Sequence, residues 1–123
     1  MDNTQYFYRT AIFTRKDNQV SLVDIDKPED TTPMEDWMAV VVSLADGRHT
    51  VSELIEYMRA QYRTAPRELE DTLHSVLERL QEGKIVQLSD QPVELPYYLA
   101  EPLESLDIEK AKKLIREDGY THH

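Results

Sequence analysis

The feature that most restricts the fold is the run Leu44-Ala45-Asp46-Gly47-Arg48-His49-Thr50-Val51-Ser52-Glu53-Leu54-Ile55. Asp46-Gly47 offers the left-handed residue that ends a helix. Thr50 and Glu53 stand at capping-box spacing, which starts the next helix. From there Val51, Leu54, Ile55, Met58 and Tyr62 recur at i, i+3, i+4, i+7 and i+11 and form one apolar stripe. Two helices must therefore meet through a tight turn, and the rest of the chain has to be arranged around that joint.

Upstream, Tyr6 to Arg15 is aromatic and β-branched and reads as a strand. Lys16-Asp17-Asn18 supplies turn residues, and Gln19 to Ile25 reads as the second strand of a hairpin. Lys27 to Thr32 is charged and contains Pro28, so an exposed loop is expected. Thr32, Pro33 and Glu35 open a first helix whose apolar face is Met34, Trp37, Met38, Val41, Val42 and Ala45. Downstream, a third helix begins near Thr64, with Pro66 in its first turn, and ends at Gly83. Leu69, Leu73, Val76, Leu77 and Leu80 mark its buried stripe. Lys84 to Leu88 reads as a strand, Ser89 to Pro92 as a turn, and Val93 to Leu95 as the returning half of a wing.

Pro92, Pro96 and Pro102 break the next stretch into extended pieces around Tyr97-Tyr98-Leu99, which is expected to tuck onto the core rather than serve as a docking peptide. Asp107 caps a last helix with a narrow apolar edge given by Ile108, Ala111, Lys112, Leu114 and Ile115, and Gly119 ends it. Helix, tight turn, helix, longer helix and strand is the layout of a winged helix-turn-helix. The expected class is thus α+β: an N-terminal β-hairpin, three core helices, a C-terminal wing and an extra C-terminal helix. Residues 1–95 form the winged-helix domain and residues 96–123 a Pro-containing linker and helix.

Charge bears on the partner. The formal net charge is −10: residues 1–47 carry 4 basic and 9 acidic side chains, residues 48–84 carry 6 and 7, and residues 85–123 carry 4 and 8. A DNA-binding winged helix concentrates Lys and Arg on its recognition helix and wing. Here that segment is near neutral and its flanks repel phosphate, which argues against a nucleic-acid partner. No apolar window is long enough to span a bilayer, no secretory signal pattern stands at Met1, and cysteine is absent, so the expectation is a cytoplasmic protein.

No catalytic constellation announces itself. His49 and His74 belong to no metal-ligand spacing, and the three glycines form no phosphate-binding loop. Ser43, Ser52 and Ser75 lack the context of an activated nucleophile. The reading is a non-enzyme without cofactor or metal. His122 and His123, native or tag remnant, receive no role.

With those motifs placed, the chain resembles the PqqD family, the recognition elements of systems that mature ribosomally made peptides. The resemblance spans about residues 6–90. It rests on Asp46-Gly47, on Thr50-Val51-Ser52-Glu53-Leu54-Ile55, on the helix to Leu80 and on Gly83-Lys84-Ile85-Val86. Two departures accompany it: Lys27 to Thr32 stands where the family has a third strand, and the chain runs on well past the wing. The resemblance implies a precursor (leader) peptide held for a modifying enzyme, such as a radical SAM enzyme. The peptide adds as a strand to a sheet edge. Carried onto this chain, that edge is Leu22, Asp24 and Ile25 of the second strand, and the helical wall is Thr72, Val76 and Arg79. The same strand residues have a plainer reading as hairpin core. A winged-helix DNA-binding regulator using Arg67, Thr72, Ser75 and Arg79, and a general interaction module of unknown oligomeric state, stand as the alternatives.

Overall fold

The computed structural model describes residues 2–16, 19–34, 36–61 and 68–119. Within them the chain is mixed α+β, with two small antiparallel sheets and five helices. The order is β1 (Tyr6–Arg9), β2 (Phe13–Lys16), β3 (Gln19–Asp24), β4 (Lys27–Pro33), α1 (Asp36–Leu44) and β5 (Asp46–Thr50). Then come α2 (Val51–Gln61), α3 (Leu69–Glu82), β6 (Val86–Ser89), α4 (Tyr97–Ala100), a 3-10 turn (Leu103–Ser105) and α5 (Ile108–Asp118). No helix among the described residues is long and apolar enough to cross a membrane.

The capping box at the start of α2 forms as its sequence dictates, but the expected tight turn before it is strand β5, paired with β1. The Thr50 amide donates to the Glu53 carboxylate at 3.0 Å, and the Glu53 amide donates to the Thr50 hydroxyl at 3.2 Å. Each side chain thus satisfies a backbone donor that a helix start leaves without a partner. Gly47 takes φ +81°, and a Cβ there would stand 2.2 Å from the Val93 carbonyl oxygen. Glycine is required both by the backbone conformation and by the close approach of residue 93. Val51, Leu54, Ile55 and Met58 are buried on α2, and Leu69, Leu73, Leu77 and Leu80 on α3. Asp17, Asn18, Glu35, Tyr62, Thr64, Pro66 and Arg67 lie outside the described residues.

Three expectations about the strands are corrected. Tyr6 to Arg15 is not one strand of a hairpin. It divides into β1 and β2, which belong to different sheets, ordered β5-β1-β6 and β2-β3-β4. The switch occupies residues 10–12: the Thr10 amide donates to Ile85 at 2.8 Å, while the Ile12 carbonyl accepts from Val23 at 3.1 Å. The wing hairpin is also absent among the described residues. β6 pairs with β1 (Phe7 opposite Leu88, Arg9 opposite Val86), and residue 93 instead donates its amide to Gly47 at 2.8 Å. Finally, residues 27–32 are strand rather than loop, and Thr32 and Pro33 end β4 instead of opening α1. Pro28 fits because β4 is an edge strand.

Sheet β2-β3-β4 is covered on both faces. Val20 and Leu22 of β3 join Phe13, Met34 and helices α1 to α3 in the larger core. Val23 and Ile25 point the other way, onto a second cluster with Tyr98, Leu99, Leu106, Ala111 and Ile115. The tucked reading of the Tyr97-Tyr98-Leu99 segment holds: Tyr98 and Leu99 are buried. The Asp107 carboxylate accepts from the Lys110 amide at 3.2 Å, and Gly119 closes α5 in the left-handed conformation, as their sequence positions indicate.

Candidate functional site

The two outer edges of sheet β2-β3-β4 differ. On β2, the Glu104 carboxylate accepts hydrogen bonds from the Arg15 amide and the Thr14 hydroxyl, so the 3-10 turn seals that edge. Burial alone would raise the Glu104 carboxyl, but those two hydrogen bonds outweigh it and hold the group below its ordinary value. On β4 no further strand is paired among the described residues, and Lys27 and residues 29–33 are exposed. The Met34 amide donates to the Val20 carbonyl at 2.9 Å, and Leu22 faces Thr32 in the same register. Antiparallel pairs alternate between bonded and non-bonded, so Thr31 and Pro33 direct their backbone groups to the open edge. Pro33 brings only a carbonyl, which leaves the Thr31 N–H as the donor there.

This arrangement moves the expected edge. Leu22 and Asp24 lie in β3, the central strand, whose two sides are taken by β2 and β4. Leu22 is half-buried against the larger core, and Ile25 is only 3% exposed, inside the second cluster. None of the three offers an open backbone edge, because strand 27–33 pairs along that side of β3. Of the helical wall, Thr72 and Arg79 are exposed and Val76 is half-buried. Their spacing of i, i+4 and i+7 puts them on one face of α3. α3 packs against α1, α2 and β6, and α1 packs against both β3 and α3. α1 itself (Asp-Trp-Met-Ala-Val-Val-Val-Ser-Leu) is apolar nearly all round, yet Trp37, Met38, Ala39 and Val40 are only half-buried. A helix of that composition is normally enclosed, so this is apolar surface in excess of what a solvated face needs.

A cleft of about 550 Å³ opens on the opposite face of the same sheet. Its floor is Thr14, Lys16, Gln19, Ser21, Glu29 and Thr31, drawn from all three strands, and Leu103, Glu104, Leu106 and Ile108 form its wall. Polar residues on a sheet face under a covering segment are unusual, since such faces are ordinarily apolar.

The residue that sequence reasoning missed is Arg9. It is 2% exposed. Its Nε–H donates to the Leu99 carbonyl at 3.0 Å, and Nη1 donates to Val42 at 2.8 Å and Ser43 at 3.1 Å. Nη2 donates to Ala100 at 3.1 Å. These carbonyls lie in the last turns of α1 and α4, so one guanidinium caps two helix ends and ties the C-terminal segment to the core. The ring of Phe13 lies 4.5 Å beneath it. Burial pulls the guanidinium down to about 10, which leaves it charged at neutral pH. The available signal was its alternation with Phe7 in β1, a charge at an inward position.

Two of the histidines, His49 and His74, make local contacts. His49 Nδ1 meets the Asp46 carboxylate at 2.8 Å, and the same oxygen accepts the Arg48 amide at 2.9 Å. Burial tends to raise Asp46, but these hydrogen bonds prevail and hold it low. His74 Nε2 lies 2.7 Å from the Asn3 amide oxygen, and the Asn3 Nδ2 donates to Glu70 at 2.7 Å, fastening the N-terminal segment to α3. No group of three or more His, Cys, Asp or Glu poised to hold a metal occurs among the described residues. No family model, curated protein or solved structure matches the chain.

Proposed function

We propose that this protein is a non-catalytic, PqqD-like recognition protein. It binds a ribosomal precursor peptide by strand addition and presents it to a modifying enzyme, with the radical SAM class as the partner. The observation that carries this reading is the open edge of β4, in a sheet whose other edge is closed by Glu104. An unpaired strand edge is the standing invitation for an extended peptide: backbone groups give affinity and alternate side chains give selectivity. The half-buried apolar residues of α1, between β3 and α3, supply surface for the peptide's other face. The order α1, β5, α2, α3, β6 supports a winged helix-turn-helix ancestry in which β1 takes the partner strand's place beside β6.

Little favours the DNA-binding alternative. Glu70, Asp71, Glu78 and Glu82 populate the exposed surface of α3, with Arg79 the basic residue among its described positions. The test is calorimetric titration with precursor peptides encoded beside this gene and, separately, with a generic DNA duplex. Saturable peptide binding without a duplex response is expected. Duplex binding that falls steeply with salt, without peptide binding, would overturn the proposal.

A further inference from the structure

The cleft on the far face of sheet β2-β3-β4 is not used by strand addition as such, yet it reaches the same strand. Glu29 and Thr31 of β4 form one end of its floor. A peptide paired with β4 turns every second side chain to this face, beside Thr31. The cleft offers such a side chain two kinds of surface. Leu103, Leu106 and Ile108 form an apolar wall suited to a methylene stem, while Glu29 and Glu104 carry carboxylates against the single ammonium of Lys16. Within the floor, Ser21 is 6% exposed, and its hydroxyl can both donate and accept a hydrogen bond.

We propose that this cleft receives the long basic side chain of the bound peptide, an Arg or Lys. Its stem lies along Leu103, Leu106 and Ile108, and its donors meet Glu29 and the Ser21 hydroxyl. The inference rests on the strand-addition reading and adds what the peptide must carry: a basic residue at a position facing away from the helices. An amphipathic cation matches both walls, and the acidic excess of the whole chain favours its approach.

The probe is a short acetylated and amidated peptide of alternating Thr and Val with one central Arg, compared with the same peptide bearing Glu or norleucine instead. NMR follows two sets of signals: backbone amides of β4, which report strand addition, and methyl groups of Leu103, Leu106 and Ile108, which report the cleft. The Arg peptide is expected to move both sets and to bind about five-fold more tightly than the Glu peptide. Glu29→Gln should erase most of that preference, whereas Asp30→Asn, which removes the same charge from a residue outside the cleft lining, should leave it. Equal binding of Arg and Glu peptides with β4 shifts, or methyl signals that stay put, would overturn the cleft assignment and leave strand addition standing. Absence of β4 shifts with every peptide would overturn both.

Discussion

Replacing Arg9 tests how the C-terminal segment is held to the rest of the molecule. In Arg9→Met the apolar stem survives and the fork is lost. The carbonyls of Val42 and Leu99 are buried, and each left without a donor costs about 1–3 kcal/mol. Those of Ser43 and Ala100 stand nearer the solvent and can take water. Loss of the contact with Phe13 adds about 1 kcal/mol. Against this, the variant no longer buries a charge. The pull of burial on Arg9, down to about 10, corresponds to a penalty of order 3 kcal/mol. The net expectation for Arg9→Met is a loss of about 2 kcal/mol. Arg9→Lys should be worse, about 4 kcal/mol, because the ammonium keeps the burial penalty but cannot reach four carbonyls on two helices from one point. Urea unfolding, followed by the fluorescence of the single tryptophan, Trp37, and by circular dichroism, measures both. If Lys proves as stable as Arg, or clearly more stable than Met, the fork geometry is not what holds the segment.

Three further outcomes are expected. Gly47→Ala should lower stability by more than about 3 kcal/mol in thermal unfolding, since both its φ of +81° and the Val93 carbonyl oppose a Cβ. Lys84, the described non-glycine residue with positive φ (58°), should gain about 1 kcal/mol of stability as Lys84→Gly. The Glu104 carboxyl titrates below its ordinary 4.5, so its contribution is fully present above pH 4.5 and lost as pH falls through the lower folded-state value. The urea-midpoint difference between the parent and Glu104→Gln should therefore shrink on acidification below pH 4.5 and be constant from there toward neutrality.

Local signals were legible where a residue type answers to a backbone demand. Thr50 with Glu53, Asp107 and Gly119 all mark helix ends in the structure, because capping and left-handed φ are short-range requirements, whereas Asp46-Gly47, expected to end a helix, lies in strand β5. Strand partnering was not legible. β1 reads as half of a hairpin, yet it pairs with β5 and β6, and nothing local to Tyr6–Arg9 encodes partners that lie far along the chain. Residues 27–32 look like a loop because Pro28 and the charges are what an edge strand also carries. That ambiguity moved the expected peptide edge from Leu22, Asp24 and Ile25 to β4. The cleft and the Arg9 hub were beyond reach for the same reason: both join β2 or β1 to residues 99–108, and such meetings are set by packing rather than by sequence spacing.

The most direct test of the central claim is amide hydrogen exchange, read by NMR, on the full chain with and without a neighbouring precursor peptide. Strand addition at β4 predicts that the Thr31 amide, which faces the open edge, slows by more than about ten-fold when the peptide binds, because it gains a backbone acceptor. Peptide binding that leaves Thr31 unchanged, while protecting amides of α3 or β6 instead, would contradict strand addition at this edge.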